Sequence, residues 1–259
     1  MADTSRTGLH GSVLDQLGVL ITAGELPAGH VLRIEQLETR FGVSRSVIRE
    51  TIRVLESMGM VVSRRRVGVT VAPRTHWNVF DPQIITWRLD GPGRDDQLRS
   101  FSELRRGLEP VAAGLAAKLA TPTQCGALAG AVMEMAVHGR SGDLEAYLAA
   151  DIVFHRTLLE ASGNEMLAAL SGVVAAVLTG RTHHHLMPAR PEPAAMRLHA
   201  DVADAVQAGD AAAAESAMRA IVDEATAAML SQTDTRSQPA APHHAGTSAT
   251  PQGGHPTGS

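Results

Sequence analysis

The sequence predicts a mainly α-helical chain organised as two domains, and three observations carry that expectation. At 259 residues with 44% hydrophobic content, it is long enough to bury more than one core. Aromatic residues make up only 3%, so those cores are built from Ala, Leu, Val and Met, and Ala- and Leu-rich stretches favour helix because little side-chain freedom is lost there. Period-two alternation, the mark of a half-buried sheet, is confined to one short segment.

Taken in order, Leu9, Val13, Leu14, Leu17, Leu20 and Ile21 recur at helical spacing and predict a first helix with one buried face. Gly and Pro in the stretch Ala23–Gly29 end it. A second helix fits Ile34–Phe41 and stops at Gly42, a residue suited to the left-handed cap. A third starts at Ser44, a good N-cap, and runs through Val47, Ile48, Ile52, Val54, Leu55 and Met58 to Gly59. Met60–Val71 then reads as a β-hairpin, two β-branched runs around an Arg/Gly centre. Helix, helix, short turn, helix and hairpin is the order of a winged helix-turn-helix with a β-hairpin wing, assigned to residues 1–75.

Residues 76–93 carry Trp77 and Trp87 and are expected to form a linker packed against the domains. From Arg94 six helices are expected, at 94–119, 122–138, 143–161, 164–181, 192–208 and 210–231, making an all-α antiparallel bundle over 94–231. Residues 232–259 turn to Ser, Thr, Pro, Gly, Gln and His and are expected to be a disordered tail.

The net charge of −4 is unevenly spread, for the first 75 residues hold ten arginines and no lysine against seven acidic residues. Phosphate neutralisation needs local cations, so a basic N-terminal segment is compatible with nucleic acid despite an acidic whole. The single cysteine, Cys125, excludes an internal disulfide and a thiolate zinc cluster. Met1–His10 lacks the apolar core of a signal peptide, and no apolar run is read as membrane-spanning. The expected location is the cytoplasm, with no membrane partner.

Gly42-Val43-Ser44-Arg45-Ser46-Val47-Ile48-Arg49-Glu50 places Ser44, Arg45 and Ser46 at the start of the third helix and Arg49 one turn on, while Val47, Ile48 and Ile52 face the core. A helix N-terminus offers free N–H groups to phosphate, and an arginine can donate two bonds to guanine in the major groove. Arg64, Arg65 and Arg66 beside Gly68 would let the hairpin approach a flanking groove. With "FGVSRSVIRETIRVLESMGMV" followed by "RRVGVTV", residues 9–72 resemble the GntR family of bacterial transcription factors. The resemblance implies operator contacts from Ser44, Arg45, Ser46, Arg49 and the wing Gly68, and the basic hairpin adds Arg66 as an expected contact. Many members have an arginine where Glu35 stands here, so the contact from that position is not carried over, and Arg33 is the nearby residue expected to substitute.

In the second half, Asp151 and His155 lie at i and i+4 on one helix face. Folding back about Gly209-Asp210 would carry His199 to a place where an Asp and a His of another helix can meet it. One carboxylate and two neutral imidazoles can hold zinc or another divalent metal and leave positions open for a ligand. "ELRRGLEPVAAGLAAKLA", "DIVFHRTLLEASGN" and "LHADVADAVQAGD" together resemble the FCD ligand-binding domain of FadR-like GntR regulators, over about residues 95–230.

That resemblance implies a core cavity for a small organic acid, often with a metal held by Asp and three His. Asp151, His155 and His199 match three ligands, and the fourth falls on Ile221, which cannot coordinate. Two alternatives stand: a three-ligand metal site, or a metal-free pocket in which His and Arg grip the effector. Arg105 matches an inward-facing arginine suited to a carboxylate, and Arg181 with the run His183-His184-His185 lies near a loop that can line the pocket. "PRTHWNVFDPQIITW" resembles the linker of a subgroup that responds to sugar acids such as galactonate or gluconate. The expected function is a homodimeric transcription regulator, a repressor released from a palindromic double-stranded operator by such an acid. The rivals are a metal-dependent enzyme acting on a small acid through Asp151, His155 and His199, and a scaffold whose bundle binds another protein.

Overall fold

The computed structural model describes residues 3–184 and 193–237. Helix α1 (Asp3–Thr22) buries Val13, Leu14, Leu17 and Ile21. A short strand β1 (Val31–Leu32) leads into α2 (Ile34–Phe41), whose bounds are those the sequence predicted. Gly42 closes α2 with φ +64, and its N–H donates to the Glu38 carbonyl. Helix α3 (Arg45–Ser57) buries Ile48, Thr51, Ile52 and Leu55 against α1 and α2. Ser44 occupies the N-cap position in extended conformation, yet its hydroxyl pairs with the Ser46 hydroxyl at 2.9 Å instead of capping the helix.

Strands β2 (Val61–Arg64) and β3 (Gly68–Val71) form the hairpin, with Val61 opposite Val71 and Arg64 opposite Gly68. Its tip needs two left-handed residues, Arg66 at φ +69 and Gly68 at φ +102. Strand β1 adds antiparallel to β3, making a three-stranded sheet in the order β1-β3-β2. The sequence did not disclose β1, which is two residues long and carries no alternation of its own.

The stretch expected as a linker contains a helix, α4 (Pro82–Asp90), started by Pro82 and by the Asp81 carboxylate accepting from the Gln83 N–H at 2.9 Å. Ile84 and Trp87 join the core of α1–α3, while Ile85 and Leu89 join a second cluster with Leu98, Phe101, Val173 and Val177. One helix is therefore shared between two hydrophobic clusters.

The bundle follows as α5 (Arg94–Leu119), α6 (Pro122–Ser141), α7 (Leu144–Ala161), α8 (Glu165–Ala168), α9 (Ser171–His183), α10 (Pro193–Ala208) and α11 (Ala211–Ser237). Thr121 and Gln124 form a capping box at α6, and Gly142 at φ +79 ends it. α11 packs along α5 and α10, α6 along α7, and α9 along α7. The expected helix 164–181 is divided into α8 and α9, and α11 runs to Ser237, beyond the predicted end at 231. Glu165–His183 is apolar and long enough to cross a membrane by composition, which corrects the sequence expectation. Here Val173, Val174, Val177 and Leu178 are buried core residues. The expected break from 188 to 193, His185 and residues 238–259 of the expected tail lie wholly or mostly outside the described residues.

Candidate functional site

The exposed edge of α3 carries Ser44, Arg45, Ser46 and Arg49, and Arg33 and Arg66 are also exposed. Ile48, Ile52 and Leu55 pin the opposite side of the helix, so this edge projects from a fixed base. Arg45, the first residue of α3, is flanked by two carboxylates of α2: its Nη2 lies 3.1 Å from Glu35 Oε1 and its Nη1 4.0 Å from Glu38 Oε2. The wing, with Arg64, Arg65, Arg66 and Gly68, stands beside it as a second exposed basic element.

A second constellation lies inside the bundle. Helix α5 contributes Arg105 and Glu109, α7 contributes Tyr147, Asp151 and His155, α9 contributes Arg181, and α10 contributes His199. Arg105, Glu109, Tyr147, Asp151, His155 and His199 are each at most 5% exposed. Buried charge is tolerated only when paired, and the pairing here is dense. Arg105 donates through Nε to Glu109 Oε1 at 2.7 Å and through Nη2 to Oε2 at 3.1 Å. Glu109 Oε2 also faces His155 Nδ1 at 3.1 Å. Asp151 Oδ1 lies 3.3 Å from His155 Nε2 and 3.4 Å from His199 Nε2, and its Oδ2 lies 3.6 Å from Arg181 Nη2.

Burial pushes the Glu109 carboxyl up, but Arg105 and His155 overcome it and hold the group at about 2. Burial likewise raises Asp151, and His155 and His199 outweigh it, leaving this carboxylate well below its usual range. For His155 burial acts downward and Glu109 and Asp151 win, raising it. Arg181 moves down, because burial exceeds the pull of Asp151. Both carboxylates are thus held ionised in a nearly dry interior.

His199 Nδ1 donates to the Ala195 carbonyl at 2.8 Å, so in the neutral imidazole it is the Nε2 lone pair that faces Asp151. Asp151 Oδ1 and His199 Nε2 are both buried without a hydrogen-bond partner. Two such lone pairs repel unless a proton or a metal cation lies between them. The ligand atoms of Asp151, His155 and His199 all lie within 4.8 Å of one another. Tetrahedral zinc at ordinary bond lengths separates its ligands by about 3.3 Å, close to the two separations from Asp151 Oδ1. The donor set therefore fits a divalent ion. Ile221, at the expected fourth position, is 4% exposed and lies in the apolar cluster with Tyr147, Phe154 and Met218, so among the described residues the set stops at three.

The structure brings Arg105, Asp151, His155, Arg181 and His199 together, all from the sequence reading. It adds Glu109, which that reading missed although its i+4 spacing from Arg105 was a usable signal. Arg105 directs two of its donor atoms, Nε and Nη2, at Glu109. His183 and His184 point elsewhere: His183 pairs with Glu145 at 3.2 Å and His184 with Asp90 at 3.0 Å, bordering a cavity of about 420 Å³ between α4 and α9.

Helix α4 joins the two constellations. Trp87 packs so closely on α1 that a Cβ at Gly18 would fall within its indole, and its Nε1 donates to Asp15 at 3.0 Å. Two residues on, Leu89 packs against Gly180 of α9, leaving no room there for a Cβ. The next residue of α9 is Arg181, the partner of Asp151.

Comparison with known proteins fits both constellations. Residues 9–71 match the gntR family of bacterial regulatory proteins, and residues 100–224 match the FCD domain. The galactonate operon transcriptional repressor of Escherichia coli is 30% identical over 212 residues, spanning 81% of this chain and 92% of that protein. A putative L-lactate dehydrogenase operon regulatory protein of E. coli is 33% identical over 223 residues, spanning 82% and 83%. The solved structure of Lar, which controls expression of the Listeria monocytogenes agr system, shares the fold at TM-score 0.55 and 20% identity, over 86% of this chain and 96% of that one. Neither the matched families nor these names favour the enzyme reading. The chain belongs to the GntR family of bacterial transcription regulators, in the form that joins a winged helix-turn-helix to an FCD domain, and is a ligand-responsive DNA-binding regulator.

Proposed function

We propose that the protein is a homodimeric, cytoplasmic repressor of the FadR-like subgroup, with a DNA-binding domain over 1–75 and an effector-binding and dimerisation domain over 94–231, and that a small organic acid of sugar-acid type releases it from a palindromic operator. The observation that carries the effector half is the pair of orphaned buried atoms, Asp151 Oδ1 and His199 Nε2, facing each other across 3.4 Å. A divalent ion, zinc among the candidates, would be held there by Asp151, His155 and His199, and would supply a Lewis-acidic position for a ligand oxygen. With the imidazoles neutral, as metal ligation requires, Arg105 and Glu109 neutralise each other, as do Arg181 and Asp151. A divalent ion gives this interior a net positive charge, which an acid's carboxylate offsets. Two relatives bear names referring to galactonate and L-lactate, both hydroxy acids, and this supports the choice of acid class.

In the proposed DNA complex α3 enters the major groove. Arg45 and Arg49 reach base edges, Ser44, Ser46 and Arg33 position the backbone, and Arg66 and Gly68 bring the wing to the flanking groove. Two copies present two such helices to half-sites about 34 Å apart. The acid shifts the population of bundle conformations, and α4 carries the change through Arg181, Gly180 and Leu89 to Trp87 and α1. The test is a gel shift on DNA selected by the protein, with and without a panel of hydroxy and sugar acids. Release by at least one acid is expected; bound fractions unchanged across the panel would overturn the effector class.

A further inference from the structure

We propose that Glu35 is a specificity-determining residue of the DNA-reading face: it orients the Arg45 guanidinium toward guanine and itself requires a cytosine at the neighbouring base step. The inference rests on the proposed entry of α3 into the major groove. Glu35 and Arg45 belong to different helices, and their 3.1 Å contact is made at side chains 69% and 54% exposed. A pair this exposed contributes little to folding, so stability does not account for its placement. Glu38 approaches the same guanidinium from the other side, at 4.0 Å from Nη1. Two carboxylates against one arginine leave this point of the face with a local negative excess, on a surface whose other exposed side chains include Arg33, Arg49 and the wing arginines.

Docking on DNA removes water from this pair, and each member must then find partners on a base edge. Arg45 retains N–H donors beyond the one directed at Glu35, enough for guanine O6 and N7. The Glu35 carboxylate is acceptor-only. In the major groove it is repelled by N7 and O6 of guanine, N7 of adenine and O4 of thymine, and is attracted to an exocyclic amino group. Cytosine presents that donor without an acceptor on its own major-groove edge, whereas adenine sets N7 beside it. The carboxylate therefore favours cytosine next to the guanine read by Arg45, and it disfavours indiscriminate phosphate binding at the same point.

The experiment selects duplexes from a random-sequence library with the full-length protein and with Glu35→Gln, Glu35→Arg and Arg45→Ala. Because Glu35 is exposed, these Glu35 variants are expected to melt with the wild type. The wild type is expected to enrich guanine with an adjacent cytosine. Glu35→Gln is expected to keep the guanine and to lose about 5- to 150-fold of cytosine preference, the worth of one good base contact. Glu35→Arg is expected to bind random duplex more tightly, with the log–log salt slope steeper by about 0.9. If both Glu35 variants select the wild-type consensus with unchanged relative affinities, the inference is overturned while DNA reading by α3 stands. If Arg45→Ala selects the wild-type consensus, DNA reading by Arg45 fails and the inference falls with it.

Discussion

Replacing Glu109 by glutamine removes one charge and almost no volume from a side chain with no solvent exposure. The carboxylate it replaces accepts two bonds from Arg105, at 2.7 and 3.1 Å, and faces His155 at 3.1 Å. A glutamine can accept through one oxygen only, and its NH₂ group is turned toward another donor, so the Arg105 cation is left without a counter-charge at 4% exposure. Breaking a buried pair in this way costs about 3–5 kcal/mol. For a domain of this size that corresponds to a fall in Tm of about 6–20 °C. The assay is thermal unfolding with a chelator present, so that metal does not contribute. A double variant, Glu109→Gln with Arg105→Met, removes the stranded cation and is expected to recover most of the loss, giving a coupling energy of several kcal/mol in the double-mutant cycle. A loss under 1 kcal/mol for the single variant, or additive losses in the cycle, would refute the reasoning that this pair is load-sharing within one electrostatic cluster.

Three other outcomes follow from the same geometry. Arg45→Ala is expected to weaken specific DNA binding about 5- to 150-fold and Arg66→Ala to reduce the salt slope by about 0.9, both read by fluorescence anisotropy across a salt series. Zinc at 100 times its dissociation constant is expected to stabilise the wild type by about 2.7 kcal/mol, raising Tm by about 5–11 °C. Asp151→Asn and His199→Ala are expected to abolish that shift in calorimetry. Trp87→Phe removes the indole N–H that Asp15 accepts. It is expected to leave acid binding intact while reducing the acid's effect on DNA affinity, measured by titrating operator binding with and without acid.

The sequence disclosed most where periodicity and punctuation agree. Helix α2 matches its predicted bounds, and its end is marked by Gly42 through the left-handed cap, whereas Arg33 at its start makes no side-chain cap. Helix α4 escaped because nine residues between Pro82 and Gly91, with Trp and Ile on two sides, show no single apolar face. It serves two clusters, so its pattern is not amphipathic. The break between α8 and α9 has no Pro to announce it, and Ala168-Ala169-Leu170 continues the helical composition across it. In the buried site, Asp151 and His155 were legible because i, i+4 spacing guarantees a shared face. Their meeting with His199 followed from the turn at Gly209, where Asp210 Oδ1 caps α11 by accepting from the Ala213 N–H at 3.0 Å. Glu109 had the same local spacing from Arg105 and so shared the face that the resemblance turns inward, yet it went unread. The contact of Glu35 with Arg45 is tertiary and has no signature in either helix.

The measurement that bears most directly on a ligand-responsive DNA-binding regulator is the reciprocal one. Operator affinity is determined with and without a saturating acid, and acid affinity with and without saturating operator. Coupling between two sites is symmetric in binding free energy, so the account predicts that the acid weakens operator binding and that operator weakens acid binding by the same factor, about 5- to 150-fold. In Asp151→Asn both ratios are expected to fall to one. Ratios of one in the wild type for every acid that binds the bundle would contradict the account.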